Sequence, residues 1–208
     1  MKKSNINKSL RFFGVVFILG LIATGVGFVM FMRHGISAKD NPTMAEVFMA
    51  RRMRHWAIPA KARSQKNPVE NSPEILTMAR EHFADHCSTC HANDGSGQTP
   101  IGQNLYPKAP DMRLPDTQNL SDGELFYIIE NGIRLTGMPA WSTGKKDGEE
   151  ASWTLVHFIR HFPKITKGEL DEMKTFNPRS MKEMHEEEEA RQFLEGPPDQ
   201  KKQHKKGK

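Results

Sequence analysis

Cysteine is scarce in this chain, with two among 208 residues, and both lie in one short stretch as Cys87 and Cys90. A disulfide between them would close no long loop and so would not stabilise the fold by cross-linking distant segments. We therefore expect the pair to have a chemical function. Stretches in which apolar and polar residues alternate, as in half-buried strands, are also lacking. These absences exclude a disulfide scaffold and predict an all-α fold.

The net charge of +5 is spread unevenly along the chain. Residues 1–71 contain 12 Lys and Arg against 3 acidic residues, residues 72–162 contain 7 against 12, and residues 163–208 contain 11 against 10. Nucleic-acid binding requires a basic face on the folded part of a protein. Because the middle segment is acidic, we expect no nucleic-acid partner.

An uncharged run follows the basic N-terminal residues 1–11. Residues 12–32 contain no charged residue, no Asn, no Gln and no Pro, and at about 1.5 Å per residue they span about 30 Å, the thickness of a bilayer core. A cleaved signal peptide and a buried soluble helix are the alternatives. The run is longer than the usual core of a signal peptide, and Arg33 follows it at once. We therefore predict a transmembrane anchor over residues 12–32.

Residues 33–71 are predicted to link the anchor to the folded domain. Within them, residues 43–56 place Met44, Val47 and Phe48 at helical spacing, which indicates an amphipathic helix. The arginines of this helix would let it rest on lipid headgroups. The alternative is a solvated spacer.

Three helices with recognisable ends are predicted in residues 72–162. The first has Ser72 as its N-cap, followed by a proline at the first helical position. The second begins at the capping box of Ser121 and ends at Gly132, and the third covers about 148–162. The predicted core-facing residues of the first and third helices are Ile75, Leu76, Ala79, Phe83, Trp153, Val156 and Ile159.

Residues 163–208 form a predicted charged tail. Thr166 with Glu169 and Ser180 with Glu183 have the spacing of capping boxes, which predicts a short helix and then a longer one. The last dozen residues combine glycine and two prolines with many lysines, a composition typical of disorder.

The two cysteines belong to the pattern C-x-x-C-H at residues 87–91, the pattern of c-type haem attachment. Two thiols one helical turn apart can each form a thioether with one vinyl group of the porphyrin. The next residue, His91, then directs its imidazole to the iron. The sequence therefore predicts one covalent haem c held by Cys87, Cys90 and His91.

Two other uses of these residues stay open at this point. A structural zinc site needs four ligands, and His82 and His86 could complete the set, although exposed polar positions are the plainer interpretation of both. A thioredoxin-like dithiol needs the motif after a strand in a βαβ unit, and no strand is predicted before Cys87.

A sixth iron ligand is expected downstream, where Met138 and Met112 are the candidates. Met138 stands between a glycine and a proline, which allow close approach of the backbone and stiffen the chain. A single methionine in a sequence usually serves only to pack the core, so the neighbouring residues have to decide. Because of its glycine and proline neighbours we prefer Met138 as the ligand, with Met112 as the alternative.

Residues 72–162 resemble a class I cytochrome c domain, most similar to the subtype in the cytochrome subunits of C-family haem-copper oxidases. The match covers about 90 of the 208 residues. It covers neither the anchor nor the tail. The residues that carry the resemblance are those of the 87–91 motif, Asp94, Gly95, Gly97, 105–111, 120–124, 131–133 and 137–141.

The resemblance implies a fold of three main helices around one haem, with His91 as the proximal and Met138 as the distal ligand. It also implies that a proline carbonyl accepts the N–H of the proximal imidazole, and Pro107 is our choice, with Pro110 close behind. An aromatic residue of the last helix, here Trp153, would pack against Ala79 and Phe83 of the first, as the family pattern has it.

The expected function is one-electron transfer in a membrane-bound redox chain, not enzymatic catalysis, because both axial positions of the iron would be filled by protein. Covalent haem attachment takes place outside the bacterial cytoplasm, so we place the N-terminus inside and the haem domain on the periplasmic side of the inner membrane. Redox proteins such as a membrane oxidoreductase or terminal oxidase are the expected partners, and no small-molecule substrate is expected. A permanent subunit of a larger redox complex and a redox or gas sensor are the alternatives.

Overall fold

All regular elements are helices in the part of the chain that the computed structural model describes, residues 2–34, 37–179 and 181–195, so no strand occurs there. The chain divides after Asp40 into two units. The α-helices are α1 (Lys2–His34), α2 (Met44–Ala57), α3 (Ala60–Arg63), α4 (Pro73–His86), α5 (Ser88–His91), α6 (Pro115–Gln118), α7 (Asp122–Asn131), α8 (Lys146–His161), α9 (Lys167–Met173) and α10 (Met181–Glu195). The all-α fold predicted from the sequence is confirmed.

The first unit contains α1, which includes the predicted anchor at residues 12–32. Its stretch Ser9–Met30 is long and apolar enough to cross a membrane. Because all its peptide groups are paired within the helix, such a segment can lie in hydrocarbon without unsatisfied backbone groups.

The second unit is built around α4, α7 and α8, and the predicted caps begin the first two. Ser72 accepts a hydrogen bond from the Ile75 amide at 3.3 Å, and Ser121 and Glu124 form a reciprocal capping box. The third helix, α8, has no side-chain cap and begins two residues earlier than predicted, at Lys146. A 3₁₀ turn, Phe162–Lys164, ends it, since the ring of its central proline cannot continue an α-helix.

The core lies where α4 packs against α8. Ala79 and Phe83 are buried, as predicted, but the rings that contact Phe83 are those of Phe158 at 5.4 Å and Phe162 at 4.9 Å. Trp153 instead stacks on Phe126 of α7, with centroids 4.0 Å apart. The aromatic residue of α8 that faces Phe83 is therefore not Trp153 but Phe158, five residues further along the helix.

The linker helix α2 packs on this second unit and is not an isolated spacer. It begins at the capping box of Thr43, and its Arg51 forms an ion pair with Asp116. Directly after α2, Ile58 is 3% exposed. The following α3 lies against α7, where the Ser121 hydroxyl donates to the Arg63 carbonyl at 2.8 Å.

The first part of the tail belongs to the same core. Thr166 and Glu169 form the predicted capping box of α9, and Met173 at the end of that helix is fully buried. Glu169 and Glu172 also pair with the buried Arg80 of α4, at 3.3 Å and 2.6 Å.

The longer predicted tail helix corresponds to α10. Ser180, which would cap it, and residues 196–208 lie outside the described part of the chain, so the second capping box and the disordered end stay predictions.

Candidate functional site

The C-x-x-C-H residues form one tight helical turn at the end of α4. Cys87 ends α4, and the backbone amide of His91 donates to the Cys87 carbonyl at 2.9 Å. The turn stops at Ala92, whose φ of 61° is incompatible with a continuing helix. Both cysteine side chains and the His91 ring are thereby presented to one cleft.

Met138 reaches the same cleft from the loop after α7. The Met138 carbonyl accepts from the Ile133 amide at 3.1 Å, and the Trp141 amide donates back to the Ile129 carbonyl at 3.0 Å. The loop leaves the helix at Gly132, whose φ is 63°, and a Cβ there would lie 2.7 Å from the Met138 carbonyl oxygen. A glycine is required at this position, and the loop is held against the end of α7.

The cleft is apolar and open on one side. Its cavity volume is about 230 Å³, and one side opens to solvent. Its lining residues are His86, Cys87, Cys90, His91, Leu105, Pro107, Lys108, Ala109, Pro110, Ile133, Thr136, Gly137, Met138, Pro139 and Trp141.

The part of the cleft wall formed by residues 105–110 is held to the cysteine turn through backbone contacts. The Gly97 amide donates to the His91 carbonyl at 2.8 Å, and the Ala109 amide donates to the Gly102 carbonyl at 2.9 Å. Gly97 has a φ of 70°, and a Cβ on it would lie 2.4 Å from the Ala109 carbonyl oxygen. The segment that carries Pro107 can approach the motif only because this residue is glycine.

Burial sets the protonation states of the motif side chains. It lowers the pKa of His91 to about 4, so the imidazole is neutral at pH 7 and has a lone pair for a metal. It also raises the pKa of Cys87 to about 12, with a smaller contribution from Cys90. A buried thiol of this kind reacts slowly in disulfide exchange, which weighs against the thioredoxin-like dithiol.

The Nδ1 atom of His91 is buried and has no hydrogen-bond partner among the described residues. A buried polar atom without a partner is rare in a folded protein and indicates that a group is still to be added or oriented there. Pro107 and Pro110 both line the cleft. The hydrogen bond from the proximal imidazole to one of these carbonyls therefore stays a prediction.

The two methionine candidates occupy different environments. Met138 is half-buried and lines the cleft, whereas Met112 is 8% exposed, belongs to the hydrophobic core and is not a lining residue. The backbone amide of Met112 donates to the Gly95 carbonyl at 2.8 Å, which holds it in the core. Position thus favours Met138 over Met112 as a ligand in the cleft.

His86 and Trp141 are site residues that reasoning from the sequence missed. Their rings lie 5.7 Å apart, edge to face, and both line the cleft. His86 is exposed, as expected from the sequence, but its ring also contacts that of the half-buried His82, with the ring centres 4.9 Å apart. The sequence contained one indication that His86 belongs to the site, because this residue directly precedes Cys87.

A zinc site gains no support from the structure. No group of three or more potential His, Cys, Asp or Glu metal ligands occurs in the described residues.

The residues present fit a covalently attached haem. Two cysteines one turn apart, a neutral imidazole with an unpartnered nitrogen, and a thioether from a separate loop converge on one apolar cleft. This donor set is of the kind that c-type cytochromes use for iron.

Comparison with known families gives one match. Residues 76–159 match the family described as cytochrome C oxidase, cbb3-type, subunit III. This span is less than half of the chain and contains the cysteine turn, the Met138 loop and most of α8. No curated protein matches the chain.

Proposed function

We propose, from the premise that residues 76–159 form a c-type cytochrome domain, that this chain is a membrane-anchored one-electron carrier with a single haem. Haem binding and electron transport follow from the domain itself. The number of haems rests on cysteine content, since the chain has two cysteines and both belong to one attachment motif. The single observation that carries the proposal is the convergence of that motif and Met138 on one cleft.

Each residue has a stated role in the proposal. Cys87 and Cys90 would hold the haem through thioethers, and His91 and Met138 would supply a nitrogen and a sulfur to its iron. When bound, the haem supplies reversible one-electron exchange at its iron. The thioether of Met138 favours the reduced iron and a high potential, as suits a carrier late in a respiratory chain. Because two protein donors, His91 and Met138, would both be committed to holding the iron, we assign electron transfer and not catalysis.

The apolar walls of the cleft contribute by excluding water. Leu105 and Ile133 line the cleft. A Cβ on Gly137 would lie 2.6 Å from the Leu105 side chain, so the Met138 loop packs closely on Leu105. Because water is excluded, a change in charge at the site causes little reorganisation of solvent. The open side of the cleft leaves a path for the electron.

Membrane attachment completes the proposal. The apolar helix α1 anchors the chain, with the N-terminus inside and the haem domain on the periplasmic side of the inner membrane. A tethered carrier meets a membrane oxidoreductase or terminal oxidase by lateral diffusion, so the contact with either partner can be weak.

A second candidate function is that of a permanent subunit of a membrane oxidase complex. The description of the matching family, which names a subunit of a cbb3-type oxidase, favours it. Purification in a mild detergent distinguishes the two functions, because a permanent subunit co-purifies with other haem proteins in fixed ratio and a carrier does not.

The primary test is a pyridine haemochrome spectrum of membranes from a host competent in cytochrome maturation. We expect a c-type spectrum from the parent chain and none from Cys87→Ala/Cys90→Ala. The Met138→Ala variant should keep covalent haem but lose the far-red sulfur-to-iron band of the oxidised protein. Met112→Leu, a matched change at the buried methionine, should keep that band. A colourless parent chain would overturn the proposal, and loss of the band in Met112→Leu alone would reverse the ligand assignment.

A further inference from the structure

Helix α2 has two faces with different partners. Val47, Arg51 and Arg54, with Ile58 just after the helix, follow one another at helical spacing and form the inner face. Arg51 pairs with Asp116, Val47 and Arg54 are half-buried, and Ile58 is buried. The inner face thus fixes α2 to the unit that contains the haem cleft.

The outer face of α2, defined as Met49, Met53 and Trp56, is apolar and has no partner within the described part of the chain. These side chains are 61%, 62% and 74% exposed. Phe48, between the two faces, is exposed as well. A cluster of large exposed apolar side chains on one short helix marks an interaction surface, because leaving it in water is unfavourable.

We propose that the outer face of α2 lies in the headgroup region of the membrane that α1 spans. Nine residues separate His34 from Met44, and nine residues extend at most about 30 Å. Helix α2 is therefore confined to the neighbourhood of the bilayer surface by its covalent connection alone. An apolar face with tryptophan and arginine on one helix is the usual composition of a segment that lies in this interface.

Charge supports an anionic lipid surface as the occupant. Residues 33–71 contain eight Lys and Arg against three acidic residues, whereas the haem segment 72–162 is acidic. Beside the outer face, the guanidinium of Arg52 lies 5.5 Å from the ring centre of Phe48. Anionic phospholipids attract basic segments next to the membrane, so this linker is drawn to the surface while the acidic segment is repelled.

The inner face joins α2 to the cleft-bearing unit, and the proposal supplies lipid as the partner of the outer face. This inference goes beyond the electron-carrier proposal and does not depend on haem attachment.

The test is hydroxyl-radical footprinting of the purified full chain in nanodiscs that contain an anionic phospholipid and one copy of the chain per disc. Methionine oxidation is read by mass spectrometry, which requires no haem signal. We expect a loss of oxidation at Met49 and Met53 relative to Met78 of α4 and Met184 of α10, which are exposed methionines outside α2. Equal oxidation at all four would overturn the proposal.

A variant and a stoichiometry control distinguish lipid from other occupants. Met53→Glu places a charge on the outer face and is expected to restore oxidation of Met49 without changing Met78. No change at Met49 would contradict lipid insertion. Protection that occurs only in discs with two copies would identify a second copy of the chain as the occupant and would also overturn the proposal.

Discussion

Replacing Met173 by alanine tests whether the start of the tail is part of the cytochrome core. This residue lies beyond the family match, which ends at residue 159, yet its side chain is fully buried. It packs in one cluster with Phe83, Phe158 and Phe162, the rings next to the cysteine turn. The substitution Met173→Ala removes three heavy atoms from this cluster and leaves a cavity.

The expected loss follows from complete burial. Met→Ala changes at buried sites cost about 2–5 kcal/mol in free energy of unfolding, from lost transfer energy and the cavity together. In a domain of this size each kcal/mol lowers Tm by about 2–4 °C, so we expect a fall of about 10 °C. The matched control is Met184→Ala on α10, where the side chain is 47% exposed and the change should stay within about 0.5 kcal/mol.

Urea denaturation of the full chain in nanodiscs, followed by circular dichroism and by haem absorbance, measures both variants. The two probes should report one transition for Met173→Ala, at a lower urea midpoint than the parent. A midpoint for Met173→Ala that equals that of Met184→Ala would refute the reasoning, because the tail would then be dispensable to the core.

Two further predictions concern backbone and charge. Gly97→Ala should lower stability more than Gly144→Ala. Both glycines have positive φ, but only a Cβ at Gly97 would meet the Ala109 carbonyl oxygen, at 2.4 Å. Thermal unfolding and haem yield measure the effect, and equal losses in the two variants would contradict the prediction. Burial raises the pKa of Glu169, but hydrogen bonds from Thr166 outweigh it and the pKa lies below its ordinary value. Such a carboxylate stabilises the fold above its unfolded pKa of about 4.3, and the contribution is lost as the pH falls through the lower pKa of the folded state. Glu169→Gln should therefore cost about 1 kcal/mol at pH 7 and progressively less as the pH falls below about 4. Urea midpoints that keep a constant difference across this range would argue against it.

Much of the fold could be predicted because its signals are local. The caps at Ser72, Ser121 and Thr166 act through hydrogen bonds to residues three positions away, so a short stretch of sequence contains all that they need. The attachment motif is local in the same sense, since its two cysteines and histidine occupy one turn. The start of α8 was missed by two residues because no side chain caps it.

The sequence by itself determined the helices, the apolar segment and the chemistry of the cysteine turn, all of which depend on residues within a few positions of one another. Tertiary structure decided the packing of Phe83 on Phe158, the docking of α2, the burial of Met173 and the meeting of His86 with Trp141 at the cleft. The ring contacts and the Arg51–Asp116 ion pair join residues more than 50 positions apart. Their partners are chosen by the shape and burial of surfaces that exist only once the helices have packed, and no local pattern encodes that choice.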